Sequence, residues 1–283
     1  MNFLPTVREG VVRTPGADVT YYDSAGPDDP RTPVVLLHGT GGSAASHFWA
    51  LFPMLAERHR VIALDFADPG AEVEEQSGVG ALAEQVEAVI AELSPRRTVG
   101  LVGYSLGAVV AAAVAGRRPD VVDHLVLVAG WLRTDQHQRL RNAVWWKLHE
   151  AGSALPEFSV FTAYSPTYLL SRTPAELAYI VRRAGTGPDR TAAMRLNRHV
   201  DITAEVASIE APTLVVGCAD DQMVPVHHSR LLFGGIRNAR YLELRSGHAV
   251  VHERPAELFR VVSHFIEQPG RNASGDILVP ESV

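Results

Sequence analysis

Short apolar runs alternate with longer amphipathic stretches along most of this chain, which predicts a mostly parallel β-sheet flanked by helices. Strands are expected where an apolar run is continuous and bounded by turn residues, at residues 19–22, 33–37, 60–66, 98–102, 125–129, 213–217 and 240–244. Helices are expected where apolar residues recur every three or four positions, at residues 46–58, 81–93, 108–115, 226–233 and 255–266. The predicted fold class is therefore α/β.

The alternation stops between residues 130 and 200, where only helix signals remain. One predicted helix, at residues 135–151, ends at Gly152, a residue that readily takes the left-handed conformation of a helix end. Another begins at Thr173, where a capping box includes proline at the first helical position, and it ends at Gly185. This stretch is rich in aromatic residues: Trp131, Trp145, Trp146, Phe158, Phe161, Tyr164, Tyr168 and Tyr179.

The change of pattern divides the chain into a core and an insertion. A length of 283 residues is compatible with a single α/β unit that carries an inserted segment. The last residues place prolines and glycines among polar side chains, which is typical of a weakly held terminus. We therefore expect an α/β core at 1–130 and 201–268, a helical cap at 131–200 and a loosely ordered tail at 269–283.

Composition and charge exclude several functional classes. The net charge is −6 and the basic residues are scattered, which argues against a nucleic-acid-binding surface. The single cysteine, Cys218, cannot form an intrachain disulfide and suits a reducing compartment. Residues 1–16 lack the features of a signal peptide, and no apolar run reaches the roughly 18 residues of a membrane span. We expect a cytoplasmic protein with a small-molecule substrate and neither nucleic acid nor membrane as a partner; a homodimer remains open.

The segment Gly103-Tyr104-Ser105-Leu106-Gly107 matches the pattern G-x-S-x-G. It lies between a predicted strand and a predicted helix, the context in which this pattern marks a nucleophilic serine. The two glycines are needed because the turn is too tight for side chains at those positions. A serine hydroxyl is a weak nucleophile at neutral pH and needs a base, which in turn needs a group to orient it.

Candidates for both partners follow later strands, in the order nucleophile, acid, base that this strand–turn–helix architecture uses. His248 comes shortly after the strand predicted at 240–244, and it is the candidate base. Asp220 and Asp221 follow the strand predicted at 213–217, and either could supply the acid. The histidines at 227 and 228 have no convincing partners at metal-ligand spacing, and we interpret them as exposed helix residues. Neither a metal nor another cofactor is expected.

Taken in order, four motifs resemble the α/β-hydrolase family over nearly the whole chain: residues 38–42 (HGTGG), the segment around Ser105, residues 217–225 (GCADDQMVP) and residues 246–248 (SGH). The resemblance implies an α/β-hydrolase fold with the cap inserted after the strand that follows the nucleophile helix. It favours Asp221, four residues before Pro225, over Asp220 as the acid. The chain departs from the family at Asp68, where a glycine is usual, so we expect a different pocket shape there.

The resemblance also implies where a negatively charged oxygen of the substrate would be stabilised. Preorganised N–H donors are expected from the backbone of Leu106 and Thr40, with Gly41 as the second choice for the latter. The His38 side chain is expected to shape this loop. Substrate contacts are expected from four residues: Gly41, Tyr104, Trp131 and Trp145.

The leading functional hypothesis is a serine hydrolase that cleaves an ester, thioester or lactone of a small, fairly apolar substrate through Ser105, His248 and Asp221. The apolar character is suggested by the aromatic residues of the cap. Two alternatives remain open. The same residues could serve an acyltransferase, a carbon–carbon bond hydrolase or a cyclase, and the fold could also hold a ligand with slow or no turnover.

Overall fold

The computed structural model describes residues 7–14, 16–68 and 78–280. The strands in these ranges form one sheet of nine strands. The strands are β1 (Arg8–Arg13), β2 (Asp18–Asp23), β3 (Pro33–Leu37), β4 (Arg60–Asp65), β5 (Val99–Tyr104), β6 (Val122–Val128), β7 (Thr213–Cys218), β8 (Ala239–Leu244) and β9 (Ile277–Leu278). Their order is β1-β2-β4-β3-β5-β6-β7-β8-β9. Only the pairings of β2 with β1 and β4 are antiparallel among the described strands.

From β3 onward, each connection between successive strands contains at least one helix. The helices that accompany the sheet are α1 (Ala44–His47), α2 (Leu51–Ala56), α3 (Gly78–Leu93), α4 (Leu106–Arg117), α10 (Thr203–Ala207), α11 (His227–Gly235), α12 (Val250–Glu253) and α13 (Pro255–Glu267). Those between residues 131 and 200 are α5 (Gln136–Ala151), α6 (Leu155–Ala163), α7 (Pro166–Leu170), α8 (Pro174–Gly185) and α9 (Thr191–Leu196). Within the described ranges, no helix is both long and apolar enough to cross a membrane.

Both faces of the central sheet are buried, which explains why its strands are continuously hydrophobic. In β3, Val35 and Leu37 pack on one face with residues of α3 and α4, whereas Val34 and Leu36 pack on the other face with Phe52 of α2. Helix α4 is buried along most of its length because its side chains are almost all alanine or valine. The mostly parallel sheet flanked by helices confirms the predicted α/β fold class.

Two helix ends follow the sequence signals closely. Helix α5 ends at Gly152, whose φ of 63° lies in the left-handed region. At the start of α8, the Thr173 side chain accepts a hydrogen bond from the backbone N–H of Glu176, and the Glu176 side chain reciprocates. The helix predicted at 46–58 is instead divided into α1 and α2.

The two ends of the sheet were harder to predict. The sequence did not indicate β1, because Val12 is the only fully buried side chain of this strand and no continuous apolar run results. Part of the predicted tail adds a strand to the sheet: β9 pairs in parallel with β8, and the backbone N–H of Tyr241 donates to the Asp276 carbonyl. The segment around Asp68, where a different pocket shape is expected, is described only as far as Asp68, because residues 69–77 lie outside the described residues.

A buried ion pair fixes the antiparallel edge of the sheet. The Arg60 guanidinium donates to both carboxylate oxygens of Asp23, at 3.2 and 2.7 Å, and to the Leu93 carbonyl. Both side chains are 2% exposed. Burial raises the pKa of Asp23, but hydrogen bonds from Arg60 and two backbone N–H groups outweigh this effect and hold the pKa below its usual value.

Replacement of Arg60 by methionine is expected to lower the free energy of unfolding by about 3–5 kcal/mol, because it leaves the Asp23 carboxylate buried without its partner. Arg58→Met is the matched control, since Arg58 is exposed and its pair with Glu267 contributes at most about 1 kcal/mol. Denaturant unfolding of the purified variants measures both changes. Equal, small losses in the two variants would contradict this account of the pair.

Candidate active site

The segment around Ser105 forms a sharp turn between β5, which ends at Tyr104, and α4, which begins at Leu106. Ser105 has φ 57° and ψ −120°, a backbone conformation that non-glycine residues rarely adopt. A β-carbon at Gly107 would overlap the Leu37 carbonyl, and one at Gly103 would overlap the backbone of Gly107. The two glycines are therefore required by close backbone contacts, as the sequence predicts.

Three side chains from separate loops form a continuous hydrogen-bonded chain. Nδ1 of His248 lies 2.7 Å from Oδ2 of Asp221, and Nε2 of His248 lies 2.9 Å from Oγ of Ser105. With an ionised carboxylate and a neutral imidazole, Nδ1 donates to Asp221 and Nε2 accepts from the serine hydroxyl. All three residues are buried. This arrangement can remove the proton from Ser105 and hold it on His248.

The structure distinguishes between the two neighbouring aspartates. Asp221 turns inward, and its Oδ1 accepts hydrogen bonds of 2.8 Å from the backbone N–H groups of Met223 and Val224. These bonds leave Oδ2 to face His248. Asp220 is exposed, and its backbone N–H donates to the Ser246 carbonyl. Asp221, the residue favoured by the spacing to the following proline, is therefore the one that contacts the histidine.

The predicted N–H donors belong to two segments, the loop after β3 and the start of α4. Leu106 is the first residue of α4, so its N–H has no partner within the helix and lies at the positive end of the helix dipole. Thr40 lines the cavity above Ser105, and its hydroxyl accepts from the Asn197 side chain at 2.9 Å. Gly41 has φ 63° and packs against the Arg190 side chain. Neither Gly41 nor Leu106 is among the residues that line the cavity.

Two histidines hold the loop after β3. Nε2 of His38 accepts from the Phe66 N–H at 3.0 Å, which ties this loop to the end of β4. Nδ1 of His47 accepts from the Gly39 N–H at 3.0 Å. Burial, followed by the neighbouring charge of His38, lowers the pKa of His47 well below its ordinary value, and a neutral ring is the form that can accept this bond. The loop is thus fixed before a substrate arrives.

A cavity of about 200 Å³ lies above Ser105, between the sheet and the helices of residues 131–200. Of the predicted substrate contacts, Tyr104, Trp131 and Trp145 line it, whereas Gly41 does not. The Tyr104 hydroxyl donates to the His248 carbonyl at 2.9 Å. Of the eight Trp, Tyr and Phe residues between 131 and 200, three line the cavity: Trp131, Trp145 and Tyr164.

Polar residues that the sequence did not single out also line this cavity: Gln138, Arg141, Asn142, Arg190, Asn197 and His252. A pattern could have revealed some of them. Gln138, Arg141, Asn142 and Trp145 are spaced i, i+3, i+4, i+7 and therefore share one face of α5. The sequence argument considered only the apolar periodicity of this helix. The cap aromatics therefore gave an incomplete picture of the wall, which also contains polar and charged side chains.

Glu253 connects the cap to the loop that carries His248. Its Oε1 accepts from the backbone N–H groups of Ser165 and Gly247, at 2.7 and 3.1 Å. Its Oε2 accepts from the Ser165 hydroxyl at 2.7 Å. A β-carbon at Gly247 would overlap the Ser165 backbone. The start of α7 therefore lies directly against the histidine loop, and Glu253 satisfies donors from both sides.

A second cluster of polar side chains lies outside the cavity wall. Among the described residues, Asp135, His227 and His228 offer ligand atoms that all lie within 4.8 Å of one another, a set that could hold a transition-metal ion. His227 is exposed as predicted, but His228 is buried, contrary to the sequence interpretation. Burial, then the charge of His227, lowers the pKa of His228 to about 4. None of the three lines the cavity above Ser105.

Comparison with known proteins agrees with this architecture. A sequence model of the family described as "alpha/beta hydrolase fold" matches residues 32–255. A pyrrolizixenacetamide deacetylase from Xenorhabdus hominickii is 30% identical over 263 residues, which cover 90% of this chain and 97% of that protein. The family match includes Ser105, Asp221 and His248.

Two solved structures share the fold at lower sequence identity. MGS-M2, an alpha/beta hydrolase enzyme from a Medee basin deep-sea metagenome library, is 21% identical, with a TM-score of 0.81 over 92% of this chain and 98% of that one. The enol-lactonase from Burkholderia xenovorans LB400 is 20% identical, with a TM-score of 0.75 over 92% of this chain and 100% of that one. Because the family model matches residues 32–255, which are most of this chain, the chain belongs to the α/β-hydrolase fold family.

Proposed function

We propose that this chain is a serine hydrolase that cleaves an ester, thioester or lactone of a small substrate. The observation that carries the proposal is the unbroken hydrogen-bonded chain from Asp221 through His248 to Ser105, which ends at a cavity. The names of a deacetylase and an enol-lactonase among similar proteins support hydrolysis of an acyl compound. The cavity volume of about 200 Å³ suits a small substrate, with its apolar part against Trp131 and Trp145.

The proposed reaction has two steps. In the first, Oγ of Ser105 attacks the substrate carbonyl while Nε2 of His248 takes the hydroxyl proton. The negative charge on the former carbonyl oxygen is stabilised by the N–H groups of Leu106 and Thr40. His248 then returns the proton to the leaving alcohol or thiol, and the acyl group stays on Ser105.

In the second step, water replaces the leaving group. His248 takes a proton from the water molecule as it attacks the acyl-enzyme, and a second tetrahedral intermediate forms at the same N–H groups. When this intermediate collapses, the carboxylic acid leaves and Ser105 regains its proton. Asp221 keeps the imidazole in the tautomer that both steps require and stabilises its positive charge.

Hydrolysis in ¹⁸O-labelled water tests this proposal. With 4-nitrophenyl butyrate as substrate, we expect release of 4-nitrophenol and butyrate that carries one ¹⁸O atom, because water attacks the acyl-enzyme. If added alcohols and amines capture most of the acyl group instead, the protein is an acyltransferase. If the ester binds and is not turned over, the binding-module alternative gains support and the hydrolase proposal fails.

An amide is the second candidate substrate class, and one observation favours it. The relative that shares 30% identity with this chain is named as a deacetylase of an acetamide. The proposed acylation step is the same, except that His248 protonates a leaving amine. Parallel assays with 4-nitrophenyl acetate and 4-nitroacetanilide compare the two classes; turnover of the anilide at a rate close to that of the ester would favour amide hydrolysis.

A further inference from the structure

Two arginine side chains face the cavity above Ser105, and both come from the cap. Arg141 lies on α5, and Arg190 lies directly before α9. Neither forms an ion pair with an acidic residue in the part of the chain that the structure describes. This is unusual for a guanidinium that is withdrawn from water, because a buried charge is normally paired.

The Arg141 guanidinium is incompletely satisfied. Its Nη2 has a long contact, 3.4 Å, with the Thr162 hydroxyl, and its Nε is buried and has no hydrogen-bond partner among the described residues. The group lies 5.8 Å from the centre of the Phe158 ring. Burial lowers the pKa of Arg141 to about 10, so the side chain remains a cation at neutral pH. A desolvated cation with a free donor is a site that favours an anion.

Arg190 lies against the loop that carries Thr40, where it packs on Gly41. One of its nitrogens donates to the Ala184 carbonyl at 3.0 Å. Burial also lowers the pKa of this guanidinium. Carbonyl oxygens are neutral acceptors, so this hydrogen bond leaves the charge of Arg190 uncompensated.

The balance of charge in the cavity is therefore positive, although the whole protein carries a net charge of −6. Among the described residues, no aspartate or glutamate lines the cavity. Asp221, the nearby carboxylate, already accepts from His248 and two backbone N–H groups. Burial has the largest effect on the pKa of Arg141; the charge of Asp221 raises this pKa, and the charge of Arg190 lowers it by a smaller amount, so the two guanidinium groups repel each other. An anion between them would relieve this repulsion.

From this geometry we infer that the cavity is built for a substrate with a carboxylate, which binds to Arg141 and Arg190 while the scissile carbonyl lies at Ser105. The planar guanidinium matches a carboxylate with two parallel N–H donors. The inference rests on the proposed function, which it deepens by naming the charge of the substrate. It also places the charged end of the substrate toward the cap and the reacting end toward the sheet.

The test compares ester pairs that differ in one negative charge. The carboxylate is on the acyl side in mono-4-nitrophenyl glutarate, compared with 4-nitrophenyl valerate. It is on the leaving-group side in 4-acetoxybenzoate, compared with its methyl ester. We expect the wild-type enzyme to prefer the anionic member of at least one pair in kcat/KM. Arg141→Gln and Arg190→Gln should each reduce that preference by about 10- to 100-fold, the value of a charge-assisted hydrogen bond.

Arg139→Gln is the matched control, because Arg139 lies on the same helix as Arg141 but is exposed and outside the cavity wall. It removes the same charge and should leave the preference unchanged. A wild-type enzyme without a preference for the anion in either pair, or an Arg139→Gln effect as large as that of Arg141→Gln, would overturn the inference. Two arginine variants are compared so that a folding defect in one does not decide the result.

Binding to a Ser105→Ala protein separates this inference from the proposed function. The Kd of unhydrolysed mono-4-nitrophenyl glutarate, measured by calorimetry, should rise by about 10- to 100-fold when Arg141→Gln is added. If the wild-type protein turns over no ester and this rise is still seen, the carboxylate site stands and the hydrolase proposal falls. If esters are turned over and the Kd does not change, the carboxylate site falls alone.

Discussion

Replacement of Ser105 by alanine is expected to lower kcat/KM for 4-nitrophenyl butyrate by about 10⁴- to 10⁶-fold, the loss seen when the nucleophile of such a triad is removed. Without Oγ, no acyl-enzyme can form, and only the N–H donors and the cavity remain. The fold should be unaffected, because the substitution removes only Oγ and introduces no larger side chain. Initial rates of 4-nitrophenol release and the thermal unfolding midpoint measure the two properties.

Ser208→Ala is the matched control for this substitution. Ser208 is exposed, and its hydroxyl makes a long local hydrogen bond, 3.3 Å, to the Ala204 carbonyl. This variant should have wild-type activity. A Ser105→Ala protein that turns over the ester as fast as Ser208→Ala would show that the reaction uses another nucleophile.

The second large effect is expected from Asp221. Asp221→Asn should lower kcat by about 10⁴-fold, because an asparagine amide can donate to Nδ1 and stabilise the wrong tautomer of His248. In that tautomer Nε2 carries the proton and can no longer accept it from Ser105. The side-chain shape is preserved, so the backbone N–H groups of Met223 and Val224 still have an oxygen to donate to.

Asp220→Asn provides a strict comparison, because it changes the adjacent residue in the same way. Asp220 is exposed, and its substitution should change kcat by no more than about twofold, as for a typical surface site. Steady-state kinetics of the two variants under the same conditions decide between the aspartates. A large loss in Asp220→Asn with an active Asp221→Asn would contradict the geometry described above.

The sequence predicted the central sheet well because its strands are buried on both faces and are therefore continuous apolar runs. The edges lacked that signal. In β1 the single fully buried side chain is Val12, and β9 is only two residues long and pairs through backbone groups. The separation of α1 from α2 was also hidden, since apolar residues continue through Phe48, which is buried between them.

For the site, the sequence could identify the residues whose positions depend on local backbone geometry. Ser105, Asp221 and His248 each follow a strand, so the carboxyl ends of parallel strands bring them to one edge of the sheet. The cap residues have no such constraint. Arg141 and Arg190 face the cavity only because of how α5 and α9 pack on the core, and one sequence does not determine that packing.

Active-site labelling with a fluorophosphonate tests the central claim, that Ser105 is an activated nucleophile, most directly. The account predicts one covalent adduct per wild-type chain, located by peptide mass spectrometry at Ser105. It predicts no adduct in Ser105→Ala and much slower labelling in His248→Ala, because the base is then missing. Folded wild-type protein that is not labelled, or that is labelled at another residue, would contradict the claim.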